Sequence, residues 1–236
     1  MKGNISSHVE GYIVAIQEQE IRTRDLQKKR EHPDDPTFNS QCRYCKTQKE
    51  DIFHILASCS HLSASLYLPV RHDEVGKVLF NSVIRQENPD QSYVPPTNEV
   101  WQSDTVEIWW DTVVKTAPPV RHNKPDLVVW KKRDKTCFVI DVCVPLDQNI
   151  QQNEKLRQDR YVALTVGLKR IYPEYTYTVV PIVLGATGLV TNSLVQNLRT
   201  LGFNNDGEMT ELVRKLQTKA LVGSMRIVKY VMSLKS

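Results

Sequence analysis

Lys124-Pro125-Asp126-Leu127-Val128-Val129-Trp130 and Cys137-Phe138-Val139-Ile140-Asp141-Val142-Cys143-Val144-Pro145 are the stretches on which the fold turns. Each is a short apolar run with a proline at one end, which reads as a strand, and the basic segment Lys131 to Lys135 between them reads as a hairpin connection. Each run also carries an acid. Asp126 opens the first, while Asp141 sits inside the second, where an ionised side chain in an apolar stretch requires a partner. A hairpin brings a carboxylate at the start of one strand close to a carboxylate late in the next. Asp126 alone reads first as a turn cap at a strand end, whereas Asp141, ionisable inside an apolar stretch, reads first as a residue with a partner.

Extended patterning continues on both sides of this pair. Val106 to Val114 alternates as a strand, and Tyr175 to Leu184 is an apolar strand ended by Gly185-Ala186-Thr187-Gly188. Between the second acid and that last strand, Asn149 to Ile171 is long, charged and helical, with Ile150, Leu156, Val162, Ala163 and Val166 as its apolar positions. Two further helices are predicted at Leu189 to Leu201 and from Met209 to about Leu234. This order predicts an α/β (α+β) domain, a mixed sheet packed between helices, over residues 99–236.

Residues 1–88 read differently. Ile5, Val9, Tyr12, Ile13 and Ile16 fall at helical spacing before a charged stretch ending at Arg30, and His32-Pro33-Asp34-Asp35-Pro36 breaks the helix. Val75, Val78, Leu79 and Val83 mark another helix closing near Asn88. Residues 89–98, with three prolines and few apolar side chains, are the expected linker.

Of 236 residues, 40% are hydrophobic and 25% charged, which excludes a disordered tail and leaves enough apolar material for a core. No run approaches the roughly 18 apolar residues of a membrane span. Met1 to Ser7 has no apolar signal core, so an intracellular, reducing location is expected, with no membrane partner. The net charge of +4 is concentrated at Arg22 to Arg30, Lys131 to Lys135, Lys155 to Arg170 and, near the C-terminus, at Lys215, Lys219, Arg226, Lys229 and Lys235. Each group is either a solvated face or a phosphate-contacting one.

Three of the five cysteines cluster as Cys42-x2-Cys45-x8-His54-x4-Cys59 over residues 42–59. A tight turn supplies two ligands, and a short helix through Asp51 to His54 leads to the others. That is the donor set and spacing of closed, tetrahedral, structural Zn²⁺. The competing reading is unrelated thiols with a surface histidine, and His61 is an alternative fourth ligand. Cys137 and Cys143 read as small core hydrophobes.

Asp126 and Asp141 with Glu154-Lys155 form a second constellation. Two converging carboxylates beside a lysine are what divalent-metal phosphodiester cleavage needs: the acids hold Mg²⁺ (or Mn²⁺) and the ammonium steadies the charge that develops on phosphate.

Asp126, Asp141 and the strand order resemble the PD-(D/E)xK restriction-like nuclease core, although Cys143 stands where that core usually has its lysine. Nearly the whole chain resembles one branch, the C-terminal restriction-like endonuclease of site-specific non-LTR retrotransposons. The resemblance runs through Ile21-Arg22-Thr23-Arg24, Cys42-Arg43-Tyr44-Cys45, Arg71-His72-Asp73 and His122-Asn123-Lys124-Pro125-Asp126. It continues through Ile140-Asp141-Val142-Cys143-Val144-Pro145, Glu154-Lys155, Arg160-Tyr161 and Pro181 to Gly188. It implies that Asp126 and Asp141 bind the catalytic metal, that Lys155 is a lysine displaced onto the following helix, and that Tyr161 supports the site. Arg160 stands where such proteins often have lysine.

The implied activity is nicking of double-stranded target DNA in the nucleus, so that a 3′-hydroxyl primes reverse transcription. The implied partners are that DNA, the element's RNA and a reverse transcriptase domain. No Tyr/Phe-x-Asp-Asp box of a polymerase occurs in the chain, which reads as the detached end of a larger element protein or a stand-alone relic. The expected DNA contacts are Arg71, His72, Lys131, Lys132, Arg157 and Arg160. Arg71-His72-Asp73 reads equally as a helix start with Asp73 against the dipole. Trp101, Trp109 and Trp110 read as packing groups or as base-stacking ones. A zinc-bearing nucleic-acid-binding protein whose nuclease centre has decayed is the rival expectation.

Overall fold

The computed structural model describes residues 7–96 and 100–234. Ile5 of the expected first helix, Lys235 of the C-terminal basic group and residues 97–99 at the expected linker boundary lie outside them. The apolar runs form one five-stranded sheet: β1 (Val100–Gln102), β2 (Val106–Trp110), β3 (Leu127–Lys131), β4 (Thr136–Cys143) and β5 (Thr176–Val183). They lie side by side in chain order, antiparallel from β1 to β4 and parallel between β4 and β5, so the sheet is mixed as expected.

The helices are α1 (Ser7–Gln17), α2 (Arg24–Arg30), α3 (Asp73–Glu87), α4 (Ile150–Arg160), α5 (Val162–Ile171), α6 (Asn192–Thr200) and α7 (Asp206–Ser233). β4 is buried along both faces, which is why it reads as an unbroken apolar run rather than an alternating one. Ile108, Leu127, Val129, Ile140 and Ile182 face a core shared with Leu79 and Phe80 of α3, Leu194 and Leu198 of α6, and Leu212 and Leu216 of α7. Val128, Val139 and Val179 face the other way, against Tyr161, Leu164 and Leu168. The first core contains α3, so packing is continuous across residues 89–98.

A second apolar cluster joins the N-terminal region to the far half of α7. Ile16, Ile21, Ile55, Leu56 and Leu62 pack with Ile227, Val228 and Val231. With 28 residues, α7 is about 42 Å long and reaches both cores.

Several boundaries differ from the periodicity. The expected first helix is two, α1 and α2, because Ile21 is buried between them and Thr23 caps α2 by accepting a hydrogen bond from the Leu26 N–H at 3.2 Å. The strand expected over Val106 to Val114 stops at Trp110, where Asp111 takes a φ of +48° that a sheet cannot accommodate. The helix expected over 149–171 breaks at Tyr161 (φ −104°, ψ 8°), which lets α5 lay Leu164 and Leu168 on the sheet. β1 has no counterpart in the sequence pattern. Trp109 packs on Trp130 at 5.4 Å and Trp110 on Phe80 at 5.7 Å, so both are packing groups.

Candidate active site and metal centre

The β3–β4 register pairs Leu127 with Ile140, and one step further along the ladder Asp126 stands opposite Asp141. Side chains alternate across a strand, so Asp126 and Asp141 share a face with Val128 and Val139, the face covered by α4 and α5. Both acids line one cavity of about 460 Å³. Asp126 Oδ2 accepts hydrogen bonds from the Val142 N–H at 2.6 Å and from His72 Nε2 at 3.1 Å. Asp141, 2% exposed, accepts from Arg157 Nη1 at 2.8 Å and lies 3.2 Å from the Tyr161 hydroxyl, whose single proton it shares with the Lys124 carbonyl at 3.0 Å.

The electrostatics follow from this crowding. Burial raises the Asp141 pKa, the nearby Asp126 charge raises it further, and Arg157 and Arg160 pull against both. Burial alone would lower His72, but its hydrogen bonds to Asp126 and Asp73 lift it to about 10. With Nε2 on Asp126 and Nδ1 2.9 Å from Asp73, both ring nitrogens donate and the ring is an imidazolium. Burial, then the charges of Asp141 and Asp126, push the Tyr161 hydroxyl up, so it stays protonated as a donor.

The expected residues divide sharply by position. Asp126, Asp141, Tyr161, Arg157, Arg160, Arg71 and His72 all line the cavity. Lys155 does not. It is exposed and lines a different depression with His122, Gln152, Leu156 and Asp159. At 100° per residue Lys155 is about 200° around α4 from Arg157, so once Arg157 faces the acids Lys155 faces away from them. Arg157 occupies the place expected for Lys155. Arg71 lines the cavity from the interior rather than from the surface, with 3% exposed.

Lys131 and Lys132 lie at the opposite end of the β3–β4 hairpin, roughly 16 Å along the strand from the acids by its rise per residue. Lys131 Nζ donates to the Leu201 carbonyl at 3.1 Å, and Lys132 Nζ to the Ser103 carbonyl at 2.9 Å. Neither joins the cavity. Groups that do, but were absent from the expected set, include Lys124, whose ammonium pairs with Asp111 at 2.8 Å, Asn149 and Asn153. Asn153 and Arg157 lie four residues apart on α4, and Asn149 stands four residues before Asn153 at the helix's N-cap, a helical spacing that marks one face.

The cysteine cluster forms as expected. Ligand atoms of Cys42, Cys45, His54 and Cys59 all lie within 4.8 Å of one another, and all four residues are buried. The edge of a tetrahedral zinc–thiolate site is about 3.8 Å, so this group can hold a single metal ion, and its donors suit zinc. His61 is outside the group.

Local backbone chemistry builds the cluster. A turn with Lys46 at φ +61° and a bond from the Lys46 N–H to the Cys42 carbonyl, 2.8 Å, supplies the first two cysteines. Asp51 Oδ1 accepts from the His54 N–H at 2.7 Å and starts the helical turn that presents His54. Tyr67 donates its hydroxyl to the Ile55 carbonyl at 2.7 Å and accepts from the Cys59 N–H at 3.2 Å. Burial would raise the Cys45 thiol, but hydrogen bonds from Thr47, Gln48 and His54 lower it to about 5, while burial and the neighbouring thiolates push Cys59 up to about 12. A divalent cation would relieve that repulsion.

Glu50 is the part of this region that its sequence did not reveal. It is fully buried and accepts from the Arg24 N–H at 3.0 Å, the Arg43 N–H at 2.7 Å and the Arg43 guanidinium at 2.8 Å. Arg43 reaches on to the Met232 carbonyl at 3.4 Å, linking the cluster to the end of α7.

No protein-family model matches the chain, and no curated protein sequence matches it. No helix among the described residues is long and apolar enough to cross a membrane. The chemistry therefore rests on the cavity itself: two carboxylates on adjoining strands, arginines from the next helix, and an imidazolium and a phenol that fix the acids' orientation.

Proposed function

We propose that this protein is a metal-dependent endonuclease of restriction-like fold that nicks double-stranded DNA in the nucleus. In this reading it is the nicking part of a non-LTR retrotransposon protein, working with the element's RNA and a reverse transcriptase on another segment. The observation that carries the reading is the pairing of Asp126 and Asp141 opposite each other on β3 and β4, in one cavity with Arg157 and Arg160. The residues fit a hard divalent cation: Mg²⁺ is held by one or two carboxylates and keeps waters and phosphate oxygens for its other positions. Such a cation would also offset the like charge that now raises Asp141.

Bound there, Mg²⁺ would supply an activated water and neutralise charge on the phosphate. Asp126 and Asp141 hold it. His72 and the Val142 N–H fix the Asp126 carboxylate, and Tyr161 fixes Asp141. Arg157 and Arg160 bind the non-bridging phosphate oxygens. The Cys42, Cys45, His54, Cys59 cluster carries structural Zn²⁺ and keeps the wall formed by residues 57–72 against α7.

A second reading has its own observation. Arg157 already sits on Asp141 at 2.8 Å, and Lys155 is turned from the cavity. With the metal-binding carboxylate already engaged by a guanidinium and the expected lysine turned away, such a centre suits DNA binding without cleavage. Supercoiled plasmid incubated with Mg²⁺ decides between them: the nuclease nicks it, and Asp141→Ala does not. Equal conversion by both proteins, or none by the wild type at low salt, sinks the nuclease; retained plasmid binding without nicking then favours the second reading.

A further inference from the structure

Arg71 is the next-to-last residue of a run of π-helical turns, Ser63–His72, and its side chain is directed inward. Gly223 of α7 permits the approach, since a Cβ there would meet Arg71 Cβ at 2.7 Å and Cα at 2.9 Å. The guanidinium donates from Nη1 to Ser224 Oγ at 3.0 Å, and its Cζ lies 5.2 Å from the centre of the Tyr67 ring. Ser224 Oγ spends its own proton on the Ala186 carbonyl at 2.6 Å. Arg71 Nε is buried without a hydrogen-bond partner.

No carboxylate among the described residues compensates this charge; the ionisable groups acting on it are Tyr67 and Cys143. Burial lowers the Arg71 pKa to about 10, which leaves it cationic at neutral pH. A buried cation with no counterion costs several kcal/mol, so a fold retaining one has a use for it or a ligand that completes it.

The cavity it lines holds five basic side chains, Arg71, His72, Lys124, Arg157 and Arg160, against two acids. His72 is matched to Asp126, Arg157 to Asp141, and Lys124 to Asp111 outside the cavity. Arg160 reaches Asp141 only at 4.0 Å. The unmatched charge is therefore positive and contains a planar fork of donors, the geometry that takes phosphate oxygens in pairs.

We propose that Arg71 is a buried phosphate anchor, holding a backbone phosphate of the nucleic acid from the wall built by residues 63–72 and α7 while Arg157 and Arg160 line the cavity from α4. The subsite stands on the geometry of Arg71; the nucleic-acid origin of the phosphate rests on the proposed function.

The test uses the full zinc-loaded chain without added Mg²⁺. Inorganic phosphate is titrated by calorimetry and by thermal shift against chloride at matched ionic strength. A short DNA duplex is then bound and competed with phosphate. Wild type is expected to be stabilised by phosphate. Arg71→Met, close in volume and free of the buried charge, is expected to keep its zinc and its circular dichroism and to bind phosphate at least about tenfold more weakly. Arg71→Lys keeps charge but loses the fork and should fall between; it decides the matter if Arg71→Met does not fold, with unchanged affinity counting against the anchor.

Equal phosphate affinity in wild type and Arg71→Met, or no phosphate stabilisation of wild type, overturns the proposal. Arg71-dependent phosphate binding that never competes with the duplex overturns the nucleic-acid assignment. Arg71-dependent phosphate binding by a protein that does not nick plasmid leaves the anion subsite standing, so failure of the nuclease reading is told apart from failure of the subsite.

Discussion

Replacing Arg157 and Lys155 one at a time, each by alanine, separates an assignment based on chain order from one based on geometry. Asp141 is 2% exposed and its first cationic partner is Arg157 Nη1 at 2.8 Å. Removing one member of a buried ion pair costs about 3–5 kcal/mol, because the other charge stays behind. Two contacts remain in Arg157→Ala, the Tyr161 hydroxyl at 3.2 Å and Arg160 at 4.0 Å, and the Arg157 side chain is itself 20% exposed. The loss should therefore sit at the lower end, about 3 kcal/mol. With a urea m-value of about 2 kcal/mol/M, that lowers the unfolding midpoint by about 1.5 M.

Lys155 is exposed and outside the cavity, so Lys155→Ala should change stability by less than about 0.5 kcal/mol. The pH dependence has a definite sign. Burial and Asp126 already raise the Asp141 pKa, and loss of Arg157 raises it more, so the folded variant takes up a proton more readily than the unfolded chain does. A neutral Asp141 needs no counterion, and the deficit of Arg157→Ala shrinks as pH falls from 7 toward 5. Urea titrations without added Mg²⁺ at pH 7 and 5 measure both effects. An unchanged midpoint in Arg157→Ala together with a fall of more than about 0.5 M in Lys155→Ala would refute the placement of α4.

Three further outcomes follow from the packing. Cys45→Ser should lose roughly one equivalent of zinc by elemental analysis and expose residues 42–62 to limited proteolysis, since four buried ligand atoms converge there on one point. Glu50→Gln should cost about 2–4 kcal/mol in chemical denaturation, because the Arg43 guanidinium then loses its buried carboxylate; a change below about 0.5 kcal/mol contradicts the linkage drawn from Arg43 to α7. Gly223→Ala should lower the melting temperature by an amount equivalent to about 1–3 kcal/mol, since the added methyl meets the Arg71 backbone as well as its side chain, and an unchanged value would show that α7 can move off residue 71.

The sheet and the cysteine cluster were legible because their signals are local. Two proline-edged apolar runs joined by a short basic turn can only pair as neighbours, and a register that puts Leu127 on Ile140 puts Asp126 opposite Asp141 without further information. Cys42 and Cys45 are set by one turn, and His54 and Cys59 by the next few residues.

The cavity's cations were not legible in the same way, because they depend on helical phase. Lys155 follows Glu154 at the position where a displaced lysine is expected, but chain order carries no rotation. Phase comes from the buried position Ile150, from which Asn153, Arg157 and Tyr161 follow three, seven and eleven residues on, all near one face, whereas Lys155 falls about 140° away. Arg71 escapes even that rule. The i→i+5 turns before it shift the side-chain phase away from that of an α-helix, so a residue that reads as the exposed start of α3 is delivered into the interior. A positive side chain in the expected order therefore joins the cavity only once the helix bearing it has been phased by a residue known to be buried; here that step exchanges Lys155 for Arg157, while Arg71 is found only through the π-helical turns that deliver it.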